Sequence, residues 1–466
     1  MAYKHAILAQ AGTSDYYTVA TDGLGIGYYA PTLEQLYHHM EEHKLDVLWA
    51  MPGCQFEKVI RAEHFLALRP EYNVYVPQDT LNGGSSSSKK MYGARVRAVK
   101  KGSHDCFFMF PGNREWKCPQ NHDHGIWFAP EPENLLRTVQ YLQQEYQVPI
   151  MWSPSNGGMA VLRKMHKEDH VEIAALPEAQ MTLFCDEIAR NCCQSTGWAS
   201  AANLHGTYLI GYDKNGQFLG AAQSVELGNG VFHRSRKFNP DVTGFWYFHV
   251  ENHRGPFNGK QLPRILDREE GWAHTDLVTC ALQNGTMLKV QGGYVWQESN
   301  KYLERWAKGM WRHRANFKTS PEYADVIARS NAASTGKMMP NTLVGRLAHA
   351  SSGNYHRPDW NWGIQNRAQA NQAYSLARIY REFGIAPCLV SKDAFYIATD
   401  EIDPAKAIPN ILKHEHEQRG YKCIGITPIT PEIEQAFGRI NDKKFGVPGI
   451  EGTIVRSMRN GNLSGV

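Results

Sequence analysis

The stretch Tyr208-Leu-Ile-Gly-Tyr-Asp213-Lys-Asn-Gly-Gln-Phe218-Leu-Gly-Ala-Ala222 places a carboxylate at the end of an apolar run. The apolar run predicts a buried strand, and the small residues after Asp213 leave backbone N–H groups exposed. A carboxylate at a strand tip beside free N–H groups is suited to hold Mg²⁺ next to a triphosphate. The stretch therefore predicts a site for a metal ion and a phosphorylated ligand around Asp213.

Two later segments carry related chemistry. A basic helical segment has Lys337 four residues before Asn341, followed by Gly345. Further on, Pro387-Cys-Leu-Val390 and Phe395-Tyr-Ile397 are apolar runs on either side of Asp393. Two apolar runs around a short polar turn predict a hairpin with this second carboxylate at its tip.

In this order, the three segments resemble the three motifs of family B DNA polymerases. Asp213 to Gly220 resembles D-x-x-S-L-Y-P-S, Lys337 to Gly345 resembles K-x-x-x-N-S-x-Y-G, and Ser391 to Ala394 best matches Y-x-D-T-D-S. The resemblance covers about residues 186–410. It implies a DNA-directed DNA polymerase or another nucleotidyltransferase.

The resemblance implies a multidomain α/β and α+β chain with a palm and fingers core and an antiparallel palm sheet. We expect five parts: an N-terminal α/β, exonuclease-like domain at 1–185, the first part of the palm at 186–300, the fingers at 301–350, the second part of the palm at 351–410, and a reduced thumb or C-terminal domain at 411–466.

The implied reaction adds a dNTP to the 3′-hydroxyl of a primer, or to a protein hydroxyl, with two Mg²⁺ or Mn²⁺ ions that stabilise the attacking and leaving oxygens. By resemblance, Asp213 and Asp393 are the catalytic and metal-binding residues. The implied nucleotide-binding residues are Phe218, Lys337, Asn341 and Arg329, and the implied nucleic-acid-binding residues are Lys308, Arg312 and Arg314. Phe218 lies where the family has an aromatic residue under the sugar, and so implies a preference for dNTPs.

Several positions depart from the motifs. Ser391 replaces the first Asp of the third motif, and Gly216 replaces the Ser of the first. Pro340 removes an N–H from the basic helix, so we expect this helix to kink or end there. Val344 replaces the expected Tyr. Asp400 also follows an apolar run, but no partner strand comes after it, so Asp393 is the preferred acid.

A full family B polymerase carries a proofreading exonuclease, whose metal site needs a D-x-E on a strand and two further Asp residues. Residues 1–185 contain no convincing set, because Asp22 and Asp46 are isolated acids. The sequence therefore predicts no 3′→5′ exonuclease activity. The N-terminal domain is expected to be either a decayed exonuclease or an unrelated module.

Composition sets broader limits. The chain of 466 residues has a formal charge of +4, 42% hydrophobic and 21% charged residues, which is typical of a globular, soluble protein. Nine dispersed cysteines favour reduced thiols over a disulfide framework. No apolar run reaches the length of a membrane span, and the start lacks a signal-peptide core. We expect a cytoplasmic protein with no membrane partner.

Three functions remain open from the sequence. The first is a minimal family B polymerase without proofreading, similar to those of self-replicating phages, linear plasmids and mobile elements, with template and primer DNA as partners and a candidate protein primer. The second is a catalytically inactive polymerase-like protein that binds nucleic acid or a replication or defence partner. The third is a template-independent terminal nucleotidyltransferase. Survival of Asp213, Asp393 and Lys337 together favours an active enzyme.

Overall fold

The structure is a computed structural model that describes residues 4–10, 16–21, 24–29, 33–50, 72–75, 94–100, 105–110, 132–148, 154–194, 197–413, 420–442 and 445–461. The chain forms two compact units. The first contains Met1–Asp169 and Arg312–Leu343, and the second contains His170–Trp311 and Val344–Val466. Asp22 lies outside the described residues.

The first unit contains a seven-stranded mixed sheet. Its elements are β1 (His5–Gln10), β2 (Tyr16–Thr21), β3 (Leu24–Tyr29), α1 (Leu33–Glu42), β4 (Val47–Ala50), β5 (Tyr72–Tyr75), β6 (Ala94–Lys100), β7 (Asp105–Phe110), α2 (Pro132–Tyr146) and α3 (Pro154–Glu168). The strand order is β3-β2-β1-β4-β7-β6-β5. The central strands β1, β4 and β7 run parallel, and the outer strands pair antiparallel.

Two of the boundaries between the units fall inside long helices, α7 (Glu304–Thr319) and α8 (Val326–Leu347). Within the first unit, Glu145 of α2 accepts hydrogen bonds from His313 at 2.6 Å and Asn316 at 2.8 Å, and one from the Tyr323 hydroxyl. Gly158 of α3 is required for close helix packing, because a Cβ there would lie 2.9 Å from the Met339 carbonyl oxygen.

The second unit contains two antiparallel sheets and the helices that cover them. Its remaining elements are α4 (Glu178–Leu183), β8 (Trp198–Ala199), β9 (Tyr208–Lys214), α5 (Gln217–Ser224), β10 (Leu227–Ser235), β11 (Gly244–His253), β12 (Glu270–His274), α6 (Thr275–Gln283), β13 (Thr286–Asn300), α9 (Pro358–Phe383), β14 (Leu389–Ser391), β15 (Ala394–Thr399), α10 (Pro404–Ala407), β16 (Tyr421–Pro428), α11 (Pro431–Gly438) and α12 (Gly446–Gly461). The predicted mixture of α/β structure and antiparallel sheets is confirmed.

The five-stranded sheet of this unit has the order β16-β9-β15-β14-β8. Side chains alternate between the two faces of each strand, so each face has its own core. On one face, Tyr212 and Phe395 pack with Ala373 and Leu376 of α9. On the other face, residues such as Tyr396 pack with apolar residues of α11 and α12.

A buried ion pair joins several elements of the second unit. The Arg357 guanidinium is fully buried and donates to both carboxylate oxygens of Asp359, at 2.9 and 2.6 Å. It also donates to the carbonyl oxygens of Ala174 and Gly228, and it lies 4.8 Å from the centre of the Trp360 ring. Because the Arg357 guanidinium and the Asp359 carboxylate are both buried, the two charges depend on one another for stabilisation.

Of the two outcomes expected at Pro340, an end of the helix does not occur. Helix α8 runs through Pro340 to Leu347, so the lost N–H is tolerated inside a long helix. The third motif lies in a hairpin, as expected, and the C-terminal region forms the regular helix α12. Among the described residues, no helix is both long and apolar enough to cross a membrane.

We predict that Arg357→Met lowers the free energy of unfolding by about 3–5 kcal/mol, because it leaves the Asp359 carboxylate buried without its partner. Denaturation in urea followed by tryptophan fluorescence measures this loss. The matched control is Arg190→Met, since the Arg190–Asp186 pair is exposed and we expect it to contribute less than about 1 kcal/mol. Equal losses in both variants would contradict the role given to the buried pair.

Candidate active site

The register of the five-stranded sheet brings Asp213 and Asp393 together. Asp213, near the end of β9, lies directly opposite Ala394, the first residue of β15. Asp393 is the residue just before Ala394, in the turn between β14 and β15. The Lys214 N–H donates to the Asp393 carbonyl oxygen at 3.2 Å. Two carboxylates that are 180 residues apart in sequence therefore meet at one edge of the sheet.

A hydrogen bond from helix α9 holds the turn that carries Asp393. Lys392 has a φ of +53°, a left-handed conformation that non-glycine residues adopt infrequently. The Gln372 side-chain amide, on α9, donates to the Lys392 carbonyl oxygen at 2.8 Å. Because Gln372 is buried, this hydrogen bond fixes the turn against a rigid helix. The position of the Asp393 carboxylate thus depends on α9.

A lysine from the third strand of the site pairs with Asp213. Lys422 of β16 lies opposite Asp213 in the sheet, and its Nζ is 3.3 Å from Asp213 Oδ2. Both side chains are about a quarter exposed, at 24% for Lys422 and 23% for Asp213. An ammonium at this distance neutralises the carboxylate in the absence of another cation. Sequence analysis missed Lys422, because only strand register brings it to Asp213.

A third carboxylate lies on the same face of the sheet. Ser391 is paired with Ala394 across the hairpin, and its hydroxyl donates to Glu451 Oε2 of α12 at 2.7 Å. Ser391 therefore lacks the family's carboxylate but contacts one from another element. Because Ser391 and Glu451 are 60 residues apart, no local pattern indicates this contact.

The negative charge at this edge of the sheet affects the pKa of the Tyr396 phenol. Burial raises the pKa of Tyr396, and three nearby carboxylates raise it further. Those carboxylates are Glu451, Asp213 and Asp393. Gly211 makes room for the ring, because a Cβ at Gly211 would lie 2.8 Å from Tyr396 Cε1.

The donor set fits a magnesium or manganese ion that shares its coordination with a substrate. Carboxylate oxygens are the ligands that Mg²⁺ prefers, and one or two are sufficient when phosphate oxygens and water complete the octahedron. In the part of the chain that the structure describes, no group of three or more His, Cys, Asp or Glu side chains could hold a metal by itself. A metal at Asp213 and Asp393 would therefore need ligands from the substrate.

The structure separates Asp400 from this site. Thr399 lies opposite Tyr208, at the other end of β9 from Asp213, which corresponds to roughly 17 Å along the strand. The Asp400 carboxylate accepts hydrogen bonds from the Thr207 N–H at 3.0 Å and the Thr207 hydroxyl at 2.8 Å. Asp400 thus has a local structural contact and is not adjacent to Asp213.

The other candidate residues fall in several places. Phe218 is half-buried in the first turn of α5, in the second unit. In the first unit, on α8, Arg329 is half-buried, and Lys337 and Asn341 are exposed four residues apart. Their spacing places Lys337 and Asn341 on one side of the helix.

The basic residues of α7 differ in exposure. Lys308 and Arg312 are exposed, and Lys308 pairs with Glu304 at 2.6 Å. Arg314, by contrast, is only 5% exposed, and its contact with nucleic acid stays a prediction. Arg314 lies four residues after the buried Met310, and three before the buried Phe317, so the apolar periodicity of the helix could have indicated its burial.

One more residue of β9 has a perturbed charge. Lys214 points to the opposite face from Asp213, where its Nζ donates to the Ser375 hydroxyl at 2.9 Å. Burial, followed by the positive charge of Arg378, lowers the pKa of Lys214 from 10.5 to about 8. The charged form of Lys214 therefore destabilises the folded protein.

No protein-family model matches the sequence, and no curated protein matches it. The fold is similar to Phi29 DNA polymerase complexed with primer-template DNA and incoming nucleotide substrates, with a TM-score of 0.54, 9% sequence identity, and coverage of 92% of this chain and 85% of that chain.

Two further structures of the same polymerase agree. The orthorhombic crystal form of Phi29 DNA polymerase has a TM-score of 0.52 at 9% identity, covering 91% of this chain and 85% of that chain. The post-translocation complex with primer-template DNA has a TM-score of 0.51 at 10% identity, covering 91% and 84%. The resemblance to family B DNA polymerases that the motifs predicted is confirmed at the level of the fold.

We predict that Lys214→Met is more stable than the native protein near neutral pH and that this advantage shrinks as pH rises. Because the pKa of Lys214 is lower in the folded state, its charge destabilises the folded protein below pH 8, where the folded and the unfolded state both carry the proton. This destabilisation decreases between pH 8 and 10.5, where only the unfolded state binds the proton. The expected difference in unfolding free energy is on the order of 1–3 kcal/mol.

Urea denaturation of both proteins across this pH range measures the effect. Lys301→Met is the matched control, because it removes the same kind of charge from an exposed position. A difference for Lys214→Met that stays constant from pH 7 to 10.5 would show that the charge of Lys214 carries no penalty in the folded protein.

Proposed function

We propose that this chain, which has the fold of Phi29 DNA polymerase, is a nucleotidyltransferase of the family B DNA polymerase type. It adds dNTPs to a 3′-hydroxyl, or to a protein hydroxyl, with DNA as template and primer. The observation that carries the proposal is the register that puts Asp213 beside the Asp393 turn in a fold of this kind. Both acids come from the motifs that correspond to the metal-binding carboxylates of that family.

In this proposal the chain's own residues hold and orient the reacting groups. Asp213 and Asp393 would hold Mg²⁺ or Mn²⁺, which when bound supplies Lewis-acid stabilisation to the attacking and leaving oxygens. Gln372 keeps the Asp393 turn in place through the Lys392 carbonyl. Lys422 balances the charge of Asp213 through an ion pair of 3.3 Å, and a bound metal ion would take over that role.

The nucleotide contacts are assigned by motif. Phe218 lies under the sugar and excludes the 2′-hydroxyl. The phosphates are contacted from helix α8 by Lys337, Asn341 and Arg329. Of these three residues, Lys337 and Asn341 are exposed. Lys308 and Arg312 remain candidates for contacts with nucleic acid, since both are exposed. In the same terms, residues 186–300 and 351–410 are the palm, 301–350 the fingers and 411–466 a reduced thumb.

The N-terminal domain, residues 1–185, is proposed to be exonuclease-like but without proofreading. Its central strand β1 contains neither Asp nor Glu. Asp46, just before the neighbouring strand β4, is 8% exposed, and its carboxylate accepts the Lys4 N–H at 2.6 Å. An acid with this backbone contact serves the local structure.

A catalytically inactive, nucleic-acid-binding protein is the second candidate. The contacts that favour it are the Lys422–Asp213 ion pair and the Ser391–Glu451 hydrogen bond, since both occupy groups that an active site would use. The two candidates differ in what the carboxylates do. Under the inactive alternative, replacing Asp213 or Asp393 changes no reaction.

We predict that Asp213→Asn and Asp393→Asn each reduce the rate of nucleotide incorporation by about 10³-fold, because each removes a metal ligand worth several kcal/mol in the transition state. Extension of a labelled primer with Mg²⁺ or Mn²⁺ measures the rate. The matched control is Asp400→Asn, which keeps the acceptor for Thr207 at the far end of the same sheet and should retain full activity.

Each outcome of this comparison has a clear meaning. Loss of incorporation in both variants, but not in Asp400→Asn, supports the two-carboxylate site. Activity that is unchanged in Asp213→Asn would assign any observed reaction to another site. Absence of incorporation by the native protein on primed, unprimed and nucleic-acid-free substrates would leave the inactive alternative as the better account, whereas untemplated products would indicate a terminal transferase.

We predict that Phe218→Val raises incorporation of NTPs relative to dNTPs by roughly 10- to 100-fold, since a smaller side chain leaves space for the 2′-hydroxyl. Single-nucleotide extension with matched NTP and dNTP pairs gives the ratio. Phe383→Val is the control, because Phe383 is an exposed aromatic residue at the end of α9. An unchanged ratio in Phe218→Val would mean that Phe218 is a packing residue only.

A further inference from the structure

A cavity of about 240 Å³ lies under the loop that joins β11 to β12, residues 254–269. We call it the loop cavity. Its other walls are one side of α9, Trp198 of β8 and Val390 of β14. Its lining contains neither Asp213 nor Asp393, and none of the residues assigned to the nucleotide or to nucleic acid. The proposed reaction therefore leaves the occupant of the loop cavity unassigned.

Hydrogen bonds hold the walls of the loop cavity in place. The Trp198 indole N–H donates to the Gly259 carbonyl oxygen at 3.3 Å, which joins the loop to β8. The Gln369 side-chain amide donates to the Ile265 carbonyl oxygen at 2.7 Å, which joins the loop to α9. Within the loop, the Gly259 N–H donates to the Leu262 carbonyl oxygen at 3.0 Å. The cavity is therefore pre-formed, as ligand sites usually are.

The size and the apolar walls of the loop cavity limit its ligand to a small compound. The apolar walls are the side chains of Trp198, Phe257, Ile265, Leu376 and Val390. The volume lies below the range of roughly 300–1,000 Å³ that is usual for small-molecule and cofactor sites. A compound with one aromatic ring fits these limits, because its ring can pack against Trp198 and Phe257.

Two glutamines of α9 offer hydrogen-bond acceptors to the loop cavity. Gln369 and Gln372 both line it, and both use their amide nitrogen to donate to backbone carbonyl oxygens, those of Ile265 and Lys392. Their amide oxygens are left to accept. Gln369 Oε1 is buried and has no hydrogen-bond partner among the described residues. Because a buried acceptor without a donor is destabilising, a ligand N–H that reaches it would gain a hydrogen bond.

The lining contains one cation and one anion, Arg264 and Asp267. Arg264 is 47% exposed and pairs at 2.5 Å with Glu269, which does not line the cavity. Asp267 is only 9% exposed, and the Arg268 guanidinium lies 3.7 Å from it. The Asp267 carboxylate also accepts the Gln194 N–H at 3.2 Å. Asp267 is thus the less compensated charge, and a cation with N–H donors would satisfy it.

We propose that the loop cavity binds a single-ring organic cation whose polar group is an amidinium or an ammonium. The ring packs against the apolar walls, and the N–H donors face Asp267 and the amide oxygens of α9. Gln372 also holds the Lys392 carbonyl, so the ligand contacts a residue that supports the Asp393 turn. The inference does not depend on nucleotidyl transfer, since it uses none of the proposed metal-binding or nucleotide-binding residues.

The test compares three compounds with the same ring and different polar groups. They are benzamidine, which is a cation with donors only, benzamide, which is neutral with donors and an acceptor, and benzoate, which is an anion with acceptors only. Isothermal titration calorimetry uses the full native chain without nucleotide, nucleic acid or metal ion. We expect benzamidine to bind with a Kd of about 1 mM or tighter. Benzamide should bind at least about fivefold more weakly, and benzoate should not bind.

Two variants place the binding in the loop cavity. Asp267→Asn removes the charge of the lining, and Ala373→Leu fills part of the space from α9 without changing a polar group. We expect each to weaken benzamidine binding by about tenfold or more. Asp241→Asn is the matched control, because Asp241 is an exposed carboxylate that does not line the cavity, and this variant should bind as tightly as the native chain.

Several results would overturn the proposal. Absence of benzamidine binding, or binding of benzoate as tight as that of benzamidine, would contradict the chemistry of the ligand. Unchanged affinity in Asp267→Asn would contradict the role of its charge, and unchanged affinity in a folded Ala373→Leu would place the binding elsewhere. Circular dichroism checks that Ala373→Leu is folded, and Asp267→Asn keeps the test valid if it is not. Because the assay contains no metal, nucleotide or primer, its result is independent of the incorporation experiments.

Discussion

The pairing of β9 with its two neighbours is the constraint on which the rest of the second unit depends. Asp213 lies opposite Ala394 on one side and Lys422 on the other. A shift of one residue in either pairing would turn Asp213 to the other face of the sheet and separate it from the Asp393 turn. The apolar residues of β9 pack into cores on both faces, so the same register that fills the cores also fixes the carboxylates.

Strand alternation also divides the charges between the two faces. On one face, Asp213 and Glu451 create a negative region that Lys422 partly neutralises. On the other face, Lys214 enters a cleft whose lining also contains Lys301 and Arg367. Opposite charges therefore lie on successive residues at the end of one strand.

Sequence reasoning predicted the elements that depend on local pattern. The apolar run before Asp213, the hairpin around Asp393 and the resemblance to family B polymerases all follow from residue order. The contacts of Lys422 and Glu451 could not be predicted, because they depend on sheet register and on helix packing between distant segments. Pro340 shows a different limit: local propensity allowed a kink or an end, and only the structure shows that the long helix continues through the proline.

Charge and burial carry different information at Arg314. The resemblance implies that it contacts nucleic acid as part of the expected fingers, whereas its spacing from Met310 and Phe317 puts it on the buried side of the helix. The assignments of Lys337, Asn341 and Arg329 to the nucleotide remain predictions. Their helix position is known, but their contact with a substrate is a matter for experiment.

The most direct test of the central claim is single-nucleotide extension of one primer on four templates that differ only in the first unpaired base. The account predicts that each template selects its complementary dNTP. The same dNTP preference on all four templates would contradict templated synthesis at Asp213 and Asp393, and no extension on any of them would contradict catalysis itself.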